Sequence, residues 1–128
     1  MAVDLGIAGF EDVVEVGHGG AGVVYRATQK EFDRKVAIKV LAGPTDDDVL
    51  RGFDRERRAI GSLSGHAHIV MVFASGRTGD GRPYIVMEYL SGGSLADRLR
   101  QGSLEWRDAL EVGIKIAGAL TAAHAAGV

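Results

Sequence analysis

The sequence predicts an α+β fold: a five-stranded antiparallel sheet with one long helix, followed by a purely helical segment. Three observations carry this. Short runs of β-branched and aromatic residues alternate with period two and are joined by brief glycine or polar turns. One stretch, between Pro44 and Gly65, instead repeats its apolar residues at helical spacing. After Ser91-Gly92-Gly93 the period-two pattern does not return, and only helical patterns follow.

The elements follow in order. Residues 10–16 read as a first strand. Gly17 to Val24 then reads G-H-G-G-A-G-V-V, which matches the pattern G-x-G-x-x-G-x-V. A dinucleotide-binding fingerprint would open a helix after the last glycine. Here Val23 to Thr28 is β-branched and aromatic, so the glycines join two strands as a hairpin. Gly17, Gly19 and Gly22 lack a β-carbon, which frees the backbone for positive φ and for close approach to a ligand. Amide N–H groups at such a tip can point at phosphate oxygens.

A polar loop over 29–34 leads to a third strand over 36–41. Alternation puts Val36, Ile38 and Val40 on one face and Ala37, Lys39 and Leu41 on the other. Lys39 is thus an ammonium in an apolar strand, beside a small Ala37 that leaves room for a flat ring. A strand lysine can also snorkel to solvent; the glycine hairpin upstream argues against that reading.

The helix is expected over 46–63. Thr45-Asp46-Asp47-Asp48 has the form of a capping box, and acids suit the positive end of a helix dipole. Val49, Phe53, Ile60 and Leu63 form the apolar stripe, and Glu56 falls in its middle. A carboxylate facing a core is costly unless paired, and Lys39 is the natural partner. The alternative is an exposed Glu56 on a helix with a narrower apolar face. Asp54, Arg55, Arg57 and Arg58 read as a solvated face. Strands over 69–74 and 84–89 follow, with a turn at Asp80-Gly81 between them. Ser94-Leu95-Ala96-Asp97 is a second capping-box pattern, opening a short helix that ends near Arg100. A longer helix is expected over 105–126, with Gly127 as its C-cap. Its apolar residues, among them Trp106, Leu110, Ile114, Ile116 and Leu120, lie on all sides, as in a helix built for burial.

Composition narrows the function classes. The chain has 128 residues, a net charge of −2 and an apolar fraction of 46%. That is one modest domain's worth of chain with enough apolar content for a core. The near-neutral charge gives no reason to expect nucleic acid. With no cysteine, disulfide frameworks and thiolate zinc sites are excluded. The four histidines lack metal-ligand spacing, and His66 and His68 read as turn residues. No signal segment and no membrane-spanning apolar run is seen, so a cytoplasmic location is expected.

With these residues in hand, the chain resembles a bacterial-type serine/threonine protein kinase domain from about Phe10 onward. The resemblance implies a protein-kinase-like fold, with residues 1–90 as the ATP-binding small lobe and 91–128 as the hinge and helical start of the large lobe. It implies that Gly17, Gly19 and Gly22 cover the phosphates of ATP. Lys39 would hold the α- and β-phosphates, oriented by Glu56. Val16, Val24 and Ala37 would sandwich adenine, and Met87 would be the gatekeeper. The Glu88 carbonyl and the Leu90 N–H would bind the adenine edge, and Ser94 would contact ribose. The small tip residues Gly20 and Ala21 depart from the bulkier or hydroxyl residues of many kinases.

By the same resemblance, the His-Arg-Asp catalytic loop and the Asp-Phe-Gly metal site would come after Val128. No residue here is therefore assigned as catalytic base or metal ligand, although Mg²⁺ is expected with ATP. The implied function is transfer of the γ-phosphate of ATP to a protein substrate, the chain alone being inactive. Two other readings stay open: a non-catalytic nucleotide-binding or interaction module, and a kinase-like small-molecule phosphotransferase. Gly92-Gly93-Ser94-Leu95 favours a protein kinase over the latter. The exposed last helix is expected to promote self-association.

Overall fold

The computed structural model describes residues 2–42 and 46–128. Its strands are β1 (Phe10–Gly19), β2 (Gly22–Gln29), β3 (Arg34–Val40), β4 (Val72–Arg77) and β5 (Pro83–Glu88). Its helices are α1 (Asp47–Ser62), α2 (Leu95–Arg100) and α3 (Trp106–Ala125). The strands form one sheet in the order β1-β2-β3-β5-β4, every neighbouring pair antiparallel. This is the expected α+β architecture.

Alternation along the central strands builds a core on each face of the sheet. Val36, Ile38 and Val40 are fully buried with Tyr25, Ala27 and Val86 on one face. On the other, Leu41 and Ile85 pack with Phe53 of α1, and Leu50, Val72 and Met87 lean against them. Segment 2–9 closes the first core. Leu5 is buried in it, the Val3 N–H donates to the Val13 carbonyl at 2.8 Å, and the Gly79 N–H donates to the Leu5 carbonyl at 3.0 Å. The period-two apolar residues Val3, Leu5 and Ile7 were the available signal for this strap.

Several boundaries differ from the sequence expectation. β1 runs on to Gly19, because cross-strand pairing persists to the hairpin tip whatever the strand propensity of glycine. The fourth strand is expected over 69–74 but begins at Val72. Ile69 belongs to a turn, its N–H bonded to the His66 carbonyl at 3.2 Å, and the His68 N–H donates to His66 Nδ1. The strand continues through Ser75-Gly76-Arg77, polar residues that an edge strand tolerates.

In α1 the N-cap is Asp46, whose carboxylate accepts from the Val49 N–H at 2.9 Å; Thr45 lies outside the described residues. Val49, expected in the apolar stripe, is exposed, and Leu50 packs on the core instead. Arg57 is not a solvated residue as expected. It is half-buried, Nη1 donating to the Ser75 Oγ at 3.2 Å. The expected capping box at α2 is present, Ser94 and Asp97 exchanging side-chain-to-backbone bonds. At the end of α3 the C-cap is Ala126, and Gly127 follows it in the left-handed region at φ 80. The Val128 N–H reaches back to the Ala123 carbonyl, closing the helix as a Schellman motif.

Candidate nucleotide site

The site starts from a register. Gly17 faces Val24, Val24 faces Lys39, and Lys39 faces Ile85, so these four residues form one row across β1, β2, β3 and β5. The next row is Arg26, Ala37 and Met87. Pleating puts both rows on the α1 side of the sheet. Val24, Ala37, Lys39 and Met87 therefore share one face, as the alternation in the sequence required.

Lys39 is drawn to α1. Its Nζ donates to Glu56 Oε1 at 2.6 Å, with side-chain exposures of 20% and 38%. Each charge has left part of its hydration, and each supplies the other's missing partner. The pair holds the ammonium above the sheet, one row from Ala37 and on the same line as Gly17.

The glycine hairpin turns through Gly20 and Ala21, with Gly19 paired to Gly22. Only one of the three motif glycines is demanded by the fold. Gly22 has φ 143, and a β-carbon there would lie 2.2 Å from the Val40 carbonyl oxygen. Gly17 and Gly19 are outside the left-handed region, and a β-carbon on either would meet nothing within 4 Å. The expectation of positive φ is thus corrected for both. What these two positions offer is a bare backbone facing open space. Between the tip and α1 lies a cleft of about 410 Å³, lined by Gly20, Ala21, Leu41, Val49, Phe53 and Glu56 among others. Gly20 and Ala21 of the tip and Glu56, the partner of the Lys39 ammonium, thus border one cleft.

The remaining candidates lie at the sheet's edges. Val16 sits at a β-bulge between Glu15 and Gly17 and is 46% exposed. Glu88 ends β5, and Leu90 follows it in the open. Ser94 is engaged elsewhere: its hydroxyl donates to Asp97 Oδ2 at 2.8 Å and accepts from the Asp97 N–H at 3.1 Å. Sequence reasoning missed Arg26, whose Nε is buried in the second row without a hydrogen-bond partner. Its even spacing from Val24 was the signal. Among the described residues, no group of three or more histidine, aspartate or glutamate side chains is arranged to hold a metal. Of the two carboxylates lining the cleft, Glu56 is committed to Lys39 and Asp46 caps α1 through the Val49 N–H.

A model of the protein kinase domain matches residues 10–128. The chain belongs to the protein kinase family. Among bacterial serine/threonine kinases it is 53% identical to serine/threonine-protein kinase PknK of Mycobacterium tuberculosis over 94% of its length. It is 39% identical, over 88%, to the probable serine/threonine-protein kinase CPE1738 of Clostridium perfringens. The chain spans 11% and 17% of those relatives' own lengths. Among solved structures, it resembles the PknI kinase domain of M. tuberculosis with a TM-score of 0.79 and 30% identity. That likeness covers 99% of this chain and 53% of the PknI chain. The kinase motif and the sheet-plus-helix fold thus coincide on the residues read first from the sequence.

Proposed function

We propose that this chain is the ATP-binding portion of a serine/threonine protein kinase, which transfers the γ-phosphate of ATP to protein hydroxyls. The observation that carries the reading is the Lys39–Glu56 pair at 2.6 Å, set under a hairpin of glycines. Adenine lies against Val16, Val24 and Ala37, beside Met87, with its polar edge on the Glu88 carbonyl and the Leu90 N–H. Ser94, its hydroxyl proton already given to Asp97, can meet ribose only as an acceptor. Gly17, Gly19 and Gly22 let backbone amides approach the phosphates, and Lys39, steadied by Glu56, neutralises the α- and β-phosphate charge. Residues 1–90 act as the small lobe and 91–128 as the hinge and start of the large lobe.

Mg²⁺ accompanies ATP in this family, but the described residues offer no donor set for it, so no step is assigned to the ion here. Among the described residues, both carboxylates lining the cleft are already engaged, Glu56 by Lys39 and Asp46 by the Val49 N–H, so no proton acceptor is assigned here. The chain by itself is accordingly expected to bind nucleotide without transferring phosphate. Among the described residues no helix is long and apolar enough to cross a membrane, and we place the domain in the cytoplasm, acting on protein and nucleotide rather than nucleic acid.

The test is a calorimetric titration of the chain and Lys39→Met with ATP and with adenosine. Lys39→Met should weaken ATP about tenfold or more and adenosine hardly at all, since only phosphates meet the ammonium. Equal losses for both ligands would remove Lys39 from the phosphate site.

A further inference from the structure

In a regular antiparallel hydrogen-bonded pair, two facing residues exchange two backbone bonds. Glu88 and Met71 exchange only one of that kind. The Glu88 N–H donates to the Met71 carbonyl at 3.0 Å. The Met71 N–H does not go to the Glu88 carbonyl; it donates to Oε1 of the Glu88 side chain at 2.9 Å. We propose that the Glu88 carboxylate replaces its own carbonyl in the sheet and so keeps that carbonyl available to the exocyclic amine of a purine. Glu88 is then a positioning residue through its side chain, in addition to any contact its backbone makes. This rests on the adenine reading above and assigns a cause to it.

Two features explain why the replacement occurs. A charged carboxylate is a stronger acceptor for a backbone N–H than a neutral carbonyl, so it wins the single donor. The β4–β5 register also shifts between Val72 and Ala74, a bulge that re-aims the chain just beyond Met71. Glutamate is depleted in strands, and this one closes the apolar run from Tyr84 to Met87. The opposite edge of β5 is occupied by Val36, which faces Glu88 in register. Were the side chain absent, the Met71 N–H would be left to compete for the Glu88 carbonyl, the atom the purine needs.

The experiment has two arms on the same samples: the chain, Glu88→Ala and Glu88→Gln. Amide exchange at Met71, without nucleoside, tests the sheet contact. Protection should fall about tenfold in Glu88→Ala and be largely kept in Glu88→Gln, which retains an acceptor oxygen. Affinities for adenosine and for purine riboside, which lacks only the 6-amino group, test the consequence. The unaltered chain should prefer adenosine about tenfold, Glu88→Gln should keep most of that preference, and Glu88→Ala should lose it. A general loosening of the structure would weaken both nucleosides alike and leave the preference intact. Unchanged Met71 protection, or an unchanged preference, in Glu88→Ala overturns the proposal. No preference in the unaltered chain overturns the adenine reading itself, and the proposal with it. If Glu88→Ala does not fold, Glu88→Asp serves, one methylene too short to reach Met71.

Discussion

An ammonium 2.6 Å from a carboxylate is worth little in water and much in a dry interior, and Lys39 with Glu56 sits between these limits. With Glu56 38% exposed, solvent screening removes much of what a buried pair would contribute. Glu56→Ala should therefore destabilise the chain by about 1–2 kcal/mol, less than a buried pair would lose. Lys39→Met with Glu56→Leu should recover part of that, since neither charge is then stranded. A Glu56→Ala variant with an unshifted denaturation midpoint would contradict the pairing. The glycines divide by cause. Gly22→Ala forces a β-carbon against the Val40 carbonyl and should cost more than about 2 kcal/mol in chemical denaturation. Gly17→Ala and Gly19→Ala meet nothing within 4 Å, so they should change stability by less than about 0.5 kcal/mol. Their expected effect is on the affinity for ATP, and a fold as damaged as that of Gly22→Ala would refute this split. The Lys39–Glu56 contact was legible in sequence because two charges each lay in an apolar pattern with nothing else to answer them. The Glu88–Met71 contact was not, because a side chain bonding to a backbone across a bulge leaves no periodic trace.

Elements buried on one face were legible, and edges were not. β3 announced itself because Val36, Ile38 and Val40 all turn into one core. β4 was misplaced because Ile69, Val70 and Met71 are apolar yet precede it, Ile69 at the bend after His66, while its own outer half is polar. In α1, Asp46 caps from one residue later than the expected Thr45, and the stripe pivots from Val49 to Leu50 accordingly. The cap of α2 yields a pH prediction. The Asp97 carboxyl is held below its ordinary value, chiefly by the Ser94 backbone N–H, then by the Ser94 hydroxyl, with Arg100 adding attraction. A depressed acid contributes stability above the unfolded pKa and loses it as pH falls through the folded value. The start of α2 should thus stay capped from neutral pH to about pH 4 and fray below it. Amide resonances of Ser94 and Asp97 should move together in an acid titration, with a midpoint below that of an aspartate in an unfolded peptide. A midpoint at the unfolded value would show the cap to be open.

At the scale of the whole molecule, β2, β3 and β5 carry most of the buried core, α1 adds Phe53 to it, and α3 contributes no buried residue. Leu110, Ile114 and Leu120 are each more than half exposed. α3 lies by Leu63, His68 and Ile69 through Val112, Ile116, Ala119 and Ala123, leaving a shallow apolar groove between them. Contiguous apolar surface favours association, so we expect this chain to self-associate as its concentration rises, by light scattering. Ile114→Gln with Leu120→Gln should weaken that association without shifting the unfolding of the sheet. A monomer at every concentration, with α3 amides strongly protected, would contradict this. At the opposite end, Gly6 and Gly79 press backbone to backbone where the strap crosses the β4–β5 turn, a β-carbon on Gly6 falling 2.8 Å from the Gly79 α-carbon. Most tight contacts leave evolution a remedy, because a side chain that grows can be matched by a neighbour that shrinks. Here both parties are already at the minimum, so neither can shrink to admit the other: a β-carbon on Gly6 has no room at all, and one on Gly79, 3.2 Å from the Gly6 α-carbon, must push the strap itself aside.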